Sequence, residues 1–221
     1  NLDFKSSRLY NVNSINFTIQ REEVFMNTLY KLPGLLLAIV IHELAHGYSA
    51  YLLGDNTAKN QGRLSLNPLK HIDPVGFLSL LIFKFGWAKP VPINPFYFKN
   101  RKGGTLIVSL AGPLANFILA FIISLILKFN LVKSYIVAQI LLIALLYNIG
   151  LGVFNLLPFP PLDGSKIVAS LLPRKLEYYF YKYERYFYII LVLLIFSNAI
   201  GRIINPIINM VLGIYMQIIF S

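Results

Sequence analysis

Three ionisable side chains stand where an apolar helix has no packing use for them. His42, Glu43 and His46 form the segment HELAH, inside an apolar stretch from about Leu32 to Leu53. A charge at the centre of a membrane helix costs about 2.5–3.5 kcal/mol on insertion scales. On an α-helix, residues four apart stack on one face, one turn along. His42 and His46 can therefore both reach one ion at about 2.0–2.1 Å. Glu43 falls beside them, close to the open coordination position without being a ligand. This donor set is that of a catalytic zinc with a neighbouring general base, the arrangement that hydrolyses peptide bonds.

A catalytic zinc takes three protein ligands and keeps one position open. The third ligand must come from another segment, and His71, Asp73 and Asp163 are the candidates. Asp163 lies in NLLPFPPLDG, where Pro158, Pro160 and Pro161 end a helix and impose extended backbone. Irregular backbone at membrane depth is tolerated where it lines a cavity or is buried in protein. Such a segment can return Asp163 to the histidines. Two neutral imidazoles, two carboxylates and a dication also sum to zero charge, which is favoured at low dielectric. Asp163 is thus the expected third ligand. His71 and Asp73 follow Asn67-Pro68 and read as loop residues, with His71 as an alternative supporting group or gate.

The elements that must position these groups are membrane helices. The chain has 221 residues, 57% hydrophobic and 13% charged, with mean hydropathy +0.64. Soluble domains carry about 25% charged residues. An all-α polytopic membrane protein is expected, with a three-helix catalytic core, additional membrane helices and a small extended, re-entrant loop segment. Residues 1–25 read as a polar tail or interfacial segment, and 26–221 as a single domain. Met26 is a conceivable natural start, and no cleavable signal peptide is evident. Further apolar stretches run from about Gly104 to Leu127, Ser134 to Leu157, Phe187 to Ile200 and Ile203 to Phe220, the last broken by Pro206. The fourth is short for a crossing, which needs about 20 residues.

Residues 54–103 form a long connection rich in Asn-Pro, Asp-Pro and Lys-Pro turns. Its GRLSL and PVPINPFYF pieces read as extended, and Val75–Phe85 as a half-length re-entrant or interfacial segment. Lys and Arg concentrate in this connection and between Lys166 and Arg185. The positive-inside rule makes both cytoplasmic. The net charge of +11 therefore reads as orientation and headgroup attraction. No nucleic-acid motif or basic stripe is present. Without Cys, disulfides and thiolate metal sites are excluded.

Small and polar residues line two spans. Thr105, Ser109, Gly112 and Asn116 recur on one face of the second. Asn116 is a candidate donor to a developing oxyanion, against helix packing through a buried amide. Asn148, Gly152 and Asn155 recur on the third. Asn155, near the proline break, is a candidate for holding the substrate backbone, and Asn148 reads as structural. The aromatic run Tyr178–Tyr188 reads as an interfacial belt.

Four passages, HELAH, GRLSLNPLKHIDPVG, SLAGPLANF and NLLPFPPLDG, resemble in order and spacing the site-2 protease family of intramembrane metalloproteases. The likeness covers roughly residues 27–200 and is to the short bacterial branch, which lacks a periplasmic PDZ insert or CBS domain. It implies one Zn²⁺ per chain on His42, His46 and Asp163, with Glu43 as catalytic base. A bacterial plasma membrane location is expected, with the site nearer the cytoplasm by the positive-inside rule. The implied substrate is a membrane protein with a transmembrane helix, cut by regulated intramembrane proteolysis in the bilayer, with a regulatory partner the sequence does not name. The alternative is a non-proteolytic membrane metal-binding protein or adaptor, which would have no need of Glu43. The extended pieces around Arg63 and Val91 are candidates for β-pairing with an unwound substrate, against a plain capping loop.

Overall fold

A computed structural model describes residues 31–83, 86–197 and 199–220, so the N-terminal tail lies outside the described residues. Four of its helices are long and apolar enough to cross a membrane: α1 (Lys31–Leu52), α4 (Arg101–Lys128), α5 (Tyr135–Asn155) and α9 (Ala199–Phe220). Between them lie α2 (Thr57–Asn60), α3 (Pro74–Phe83), α6 (Asp163–Leu171), α7 (Arg174–Lys182) and α8 (Glu184–Phe196). The protein is an all-α polytopic membrane protein.

The spans follow from long apolar runs free of breakers. A 28-residue α4 is about 42 Å long, and a 21-residue α5 about 32 Å, against a hydrocarbon core of about 30 Å. The core sits between α4, α5 and α9, where Ile123, Leu145, Ile149, Val153 and Ile204 are buried around Ala120 and Ala144. The small alanines let the helices approach, and close van der Waals contact holds them in lipid. Tyr215 Oη adds a hydrogen bond from α9 to Phe117 O at 3.0 Å.

At the end of the chain the fourth stretch is short, as its length implied, while the fifth is unbroken. α8 has 13 residues, about 20 Å, too short to cross, so there are four candidate spans among the described residues. Pro206 does not break the last one: α9 runs through it. A proline removes one helical N–H, and neighbouring helices can make good that loss inside a membrane. The stretch between Asp163 and Lys182, read as connection, forms the two short helices α6 and α7.

The long connection is mostly irregular. Its β-pairing among the described residues is one antiparallel bridge, Ile72 to Ala88, with Lys89 N donating to His71 O at 2.9 Å. The bridge brings the chain before α3 beside the chain after it. Pro90 and Pro92 have no N–H to give a ladder. The remaining donors go to α1 and its end instead. Val91 N donates to Glu43 Oε2 at 2.8 Å, and Asn94 N to Asp55 Oδ2 at 2.6 Å. Asn67, Asn94 and Asn100 then cap the turns and α4 through their side-chain oxygens.

Candidate metal centre

Helical spacing sets His42 and His46 on the buried face of α1, at 4% and 5% exposure, with Glu43 half-buried beside them. Asp163 is the first residue of α6 and is 5% exposed. Three ligand atoms converge. His42 Nε2 and His46 Nε2 are 3.0 Å apart, and Asp163 Oδ2 lies 3.1 Å from the first and 2.9 Å from the second. Ligands about 2.0–2.1 Å from a tetrahedral ion stand about 3.3 Å apart. The trio is within a few tenths of an ångström of that spacing, and its donor set is one that zinc accepts.

Each imidazole is held from behind. His42 Nδ1 donates to Asn116 Oδ1 at 2.6 Å, and His46 Nδ1 to Val108 O at 2.7 Å. A proton fixed on Nδ1 leaves the Nε2 lone pair directed at the convergence point. The Asn116 orientation is itself determined, because its Nδ2 donates to Ala38 O at 3.0 Å and to Asn148 Oδ1 at 2.8 Å. Asn148 Nδ2 donates to Ala144 O at 2.8 Å. A chain of amides thus links α5, α4 and α1 to the first histidine.

Asn116, a candidate oxyanion donor by sequence, is here engaged with protein groups at every polar atom. Both its amide hydrogens are engaged, and its oxygen faces His42. Asn155, the last residue of α5, donates to Leu151 O at 3.0 Å and is not hydrogen-bonded to the trio. His71 is fully buried in the loop, with Nε2 donating to Ser65 O at 2.7 Å. Asp73 Oδ1 accepts from Gly76 N at 2.8 Å and caps α3. Neither joins the histidines. Among the described residues, His42, His46 and Asp163 are the one group able to hold a metal ion.

Two glycines make the approach. A Cβ on Gly112 would lie 2.4 Å from His46 Nε2 and 2.7 Å from His42 Cε1, so α4 reaches the histidines only without a side chain there. A Cβ on Gly164 would lie 2.3 Å from both Leu156 O and Leu157 O, so α6 needs glycine to fold back on the end of α5. Burial alone would push the Asp163 carboxyl up. The His42 and His46 side chains beside it, with the charge of Lys166, outweigh burial and hold the group well below the usual carboxylate range. The carboxylate is the form a metal needs.

Sequence reasoning did not single out Gly112 as a contact of the histidines, nor Val108 O and Val91 N, which are backbone groups with no side-chain signal. It also passed over Asp55, fully buried, whose carboxylate takes Thr57 N at 2.9 Å and Asn94 N at 2.6 Å. The order Gly-Asp-Asn-Thr just past an apolar helix was the signal available for it.

Residues 128–197 match the family model described as Peptidase family M50. "Putative zinc metalloprotease YwhC" of Bacillus subtilis is 39% identical over 188 residues, covering 81% of this chain and 86% of that protein. The chain belongs to peptidase family M50, the site-2 proteases. A relative named Rip2 in Mycolicibacterium smegmatis is 30% identical over 179 residues, covering 77% of this chain and 68% of its own length. "Zinc metalloprotease MJ0392" of Methanocaldococcus jannaschii is 28% identical over 170 residues, and the match covers 42% of it. No solved structure matches the chain significantly. As a member of this family the chain is a zinc metalloprotease, and its helices make it a multi-pass membrane protein.

Proposed function

We propose that the chain is an intramembrane endopeptidase that hydrolyses peptide bonds in or beside the transmembrane helices of other proteins, in regulated intramembrane proteolysis. The observation that carries this is the convergence of His42, His46 and Asp163 on α1, a helix of spanning length, with Glu43 next in line. His46 lies six residues from the end of α1, about 9 Å below it, so the chemistry sits within the membrane but near one face. The positive-inside rule makes that face cytoplasmic, in a bacterial plasma membrane.

His42, His46 and Asp163 hold one zinc ion in this reading. A zinc ion there would supply Lewis acidity toward water and the scissile carbonyl. Glu43 takes the water's proton and returns it to the leaving amine. Its Oε2 is held by Val91 N–H, and its other oxygen makes no hydrogen bond to the described residues, so it can receive that proton. Val91 N–H and Asn94 N–H are occupied by Glu43 and Asp55, so a substrate strand would have to pair with other groups of this segment. The decisive experiment is cleavage of a tagged single-span membrane helix by purified protein in vesicles, compared with Glu43→Gln. Cleavage by the parent and none by the variant, both carrying zinc, is expected. Equal cleavage by both would remove Glu43 from the reaction. Zinc binding without cleavage of any tested helix would favour the non-proteolytic alternative.

A further inference from the structure

Away from the metal centre, the start of α4 meets α7 in an open cleft of about 390 Å³, lined by Arg101, Arg174, Glu177, Tyr178, Tyr181 and Lys182. Glu177 is already neutralised by Lys102, whose Nζ lies 2.9 Å away. Arg101, Arg174 and Lys182 have no anionic partner among the described residues. Arg101 lies over the Phe96 ring at 4.9 Å and Lys182 over Tyr183 at 5.8 Å, contacts that leave their charge unbalanced. A second cleft of about 380 Å³ adjoins at Tyr181 and Lys182 and adds Arg185, with Glu184, Pro160 and Pro161 in its wall. Across both clefts, four cations face one carboxylate that is not already paired.

The position of this charge decides what it meets. α4 exceeds the hydrocarbon thickness by about 12 Å, so Arg101, its first residue, stands in the headgroup layer. α7 has no buried residue and carries Tyr178, Tyr179 and Tyr181, the aromatic ring type that sits at that level. A guanidinium fork matches two phosphate oxygens at once, and an ammonium and a phenol can complete the shell. We propose that this cleft binds the phosphate of an anionic phospholipid headgroup. A zwitterionic lipid brings its own cation against three others and is disfavoured.

The bound headgroup ties α4 to α7. α4 carries Gly112 and Asn116 against the histidines, and α7 follows α6, which begins at Asp163. Lys102 already bridges these elements through Leu172 O and Glu177. The lipid therefore braces the two segments that carry opposite sides of the metal centre.

The test uses the whole chain with zinc, reconstituted in vesicles of phosphatidylcholine alone or with an equal share of phosphatidylglycerol. Native mass spectrometry after extraction should find one phosphatidylglycerol retained per chain. Arg101→Gln with Arg174→Gln should weaken that retention about tenfold or more, as expected for two basic groups at an anionic surface. Lys133→Gln, which removes a charge at the opposite end of α4 and α5, should leave it unchanged. Zinc content and thermal melting in phosphatidylcholine show that each variant is folded; if the double variant fails to fold, Lys182→Gln alone takes its place. Unaltered retention in the cleft variants overturns the proposal. So does an equal loss in Lys133→Gln, which would mean attraction to net charge only. Displacement of the lipid by millimolar inorganic phosphate would assign the cleft to free phosphate and overturn the lipid reading.

Discussion

At the scale of single residues, the metal centre is a problem of aiming lone pairs. An imidazole binds zinc only through an unprotonated nitrogen that points at the ion. His46 is aimed by a backbone carbonyl, which mutation leaves in place, but His42 depends on one side chain, Asn116. Asn116→Ala should therefore lower zinc affinity about 10–100-fold, the usual cost of losing an outer hydrogen-bond partner of a ligand. Competition against a calibrated chelator measures it. Asn148→Ala should have a smaller effect in the same direction, since it acts through Asn116. If turnover fell in Asn116→Ala with zinc affinity intact, the oxyanion role would be supported instead. At the ligands, Asp163→Asn should lose zinc, whereas His71→Ala and Asp73→Asn should retain it. Metal content by mass spectrometry of the three variants compares them directly.

At the scale of elements, two close contacts bring separate segments to α1. The first is the return of α6 onto the end of α5. Gly164→Ala forces a methyl into Leu156 O and Leu157 O, so α6 must shift and take Asp163 with it. We expect zinc loss in a protein whose spans remain assembled, read by metal content beside an unchanged helical circular dichroism signal. The second contact clips residues 91–94 to α1 through Glu43 and Asp55. Asp55→Ala leaves Asn94 N–H and Thr57 N–H without their acceptor in a buried setting, a cost of about 1–3 kcal/mol. The loop should become sensitive to added protease in vesicles at concentrations that spare the parent, while zinc content stays the same. Protection equal to the parent would mean that the loop is held elsewhere.

At the scale of the whole molecule, the distribution of charge predicts an orientation. Four candidate spans alternate across the bilayer, so the connection between α1 and α4 and the segment following α5 share a side. Both are rich in Lys and Arg, and that side is expected to be cytoplasmic. The absence of cysteine makes the test direct. Single cysteines at Asn100 and Lys175 should react with an impermeant thiol reagent applied from the cytoplasmic side, and one at Asn130 from the outside. Labelling of Asn100 and Asn130 from the same face would contradict a crossing by α4.

What the sequence determined by itself was what depends on near neighbours along the chain. The run of apolar residues establishes a span, because its length is set against bilayer thickness. The interval of four between His42 and His46 places both on one face, because the helical period does so in any α-helix. Asp163 was legible as the returning acid, because three prolines before it forbid the helix to continue. The tertiary structure decided how these pieces meet. Asn116 could be read from its position as an oxyanion donor or as helix packing. Only the neighbouring Ala38 O and Asn148 Oδ1, 78 and 32 residues away in sequence, fix which way its amide faces. Gly112 looked like ordinary small-residue packing until two imidazoles were found within a bond length or two of its missing methyl. The extended loop pieces, candidates for pairing with an unwound substrate, gave two of their donors to Glu43 and Asp55. Alternating prolines left too few N–H groups for a ladder, and two carboxylates on or just beyond α1, Asp55 buried and Glu43 half-buried, took two of the remaining ones.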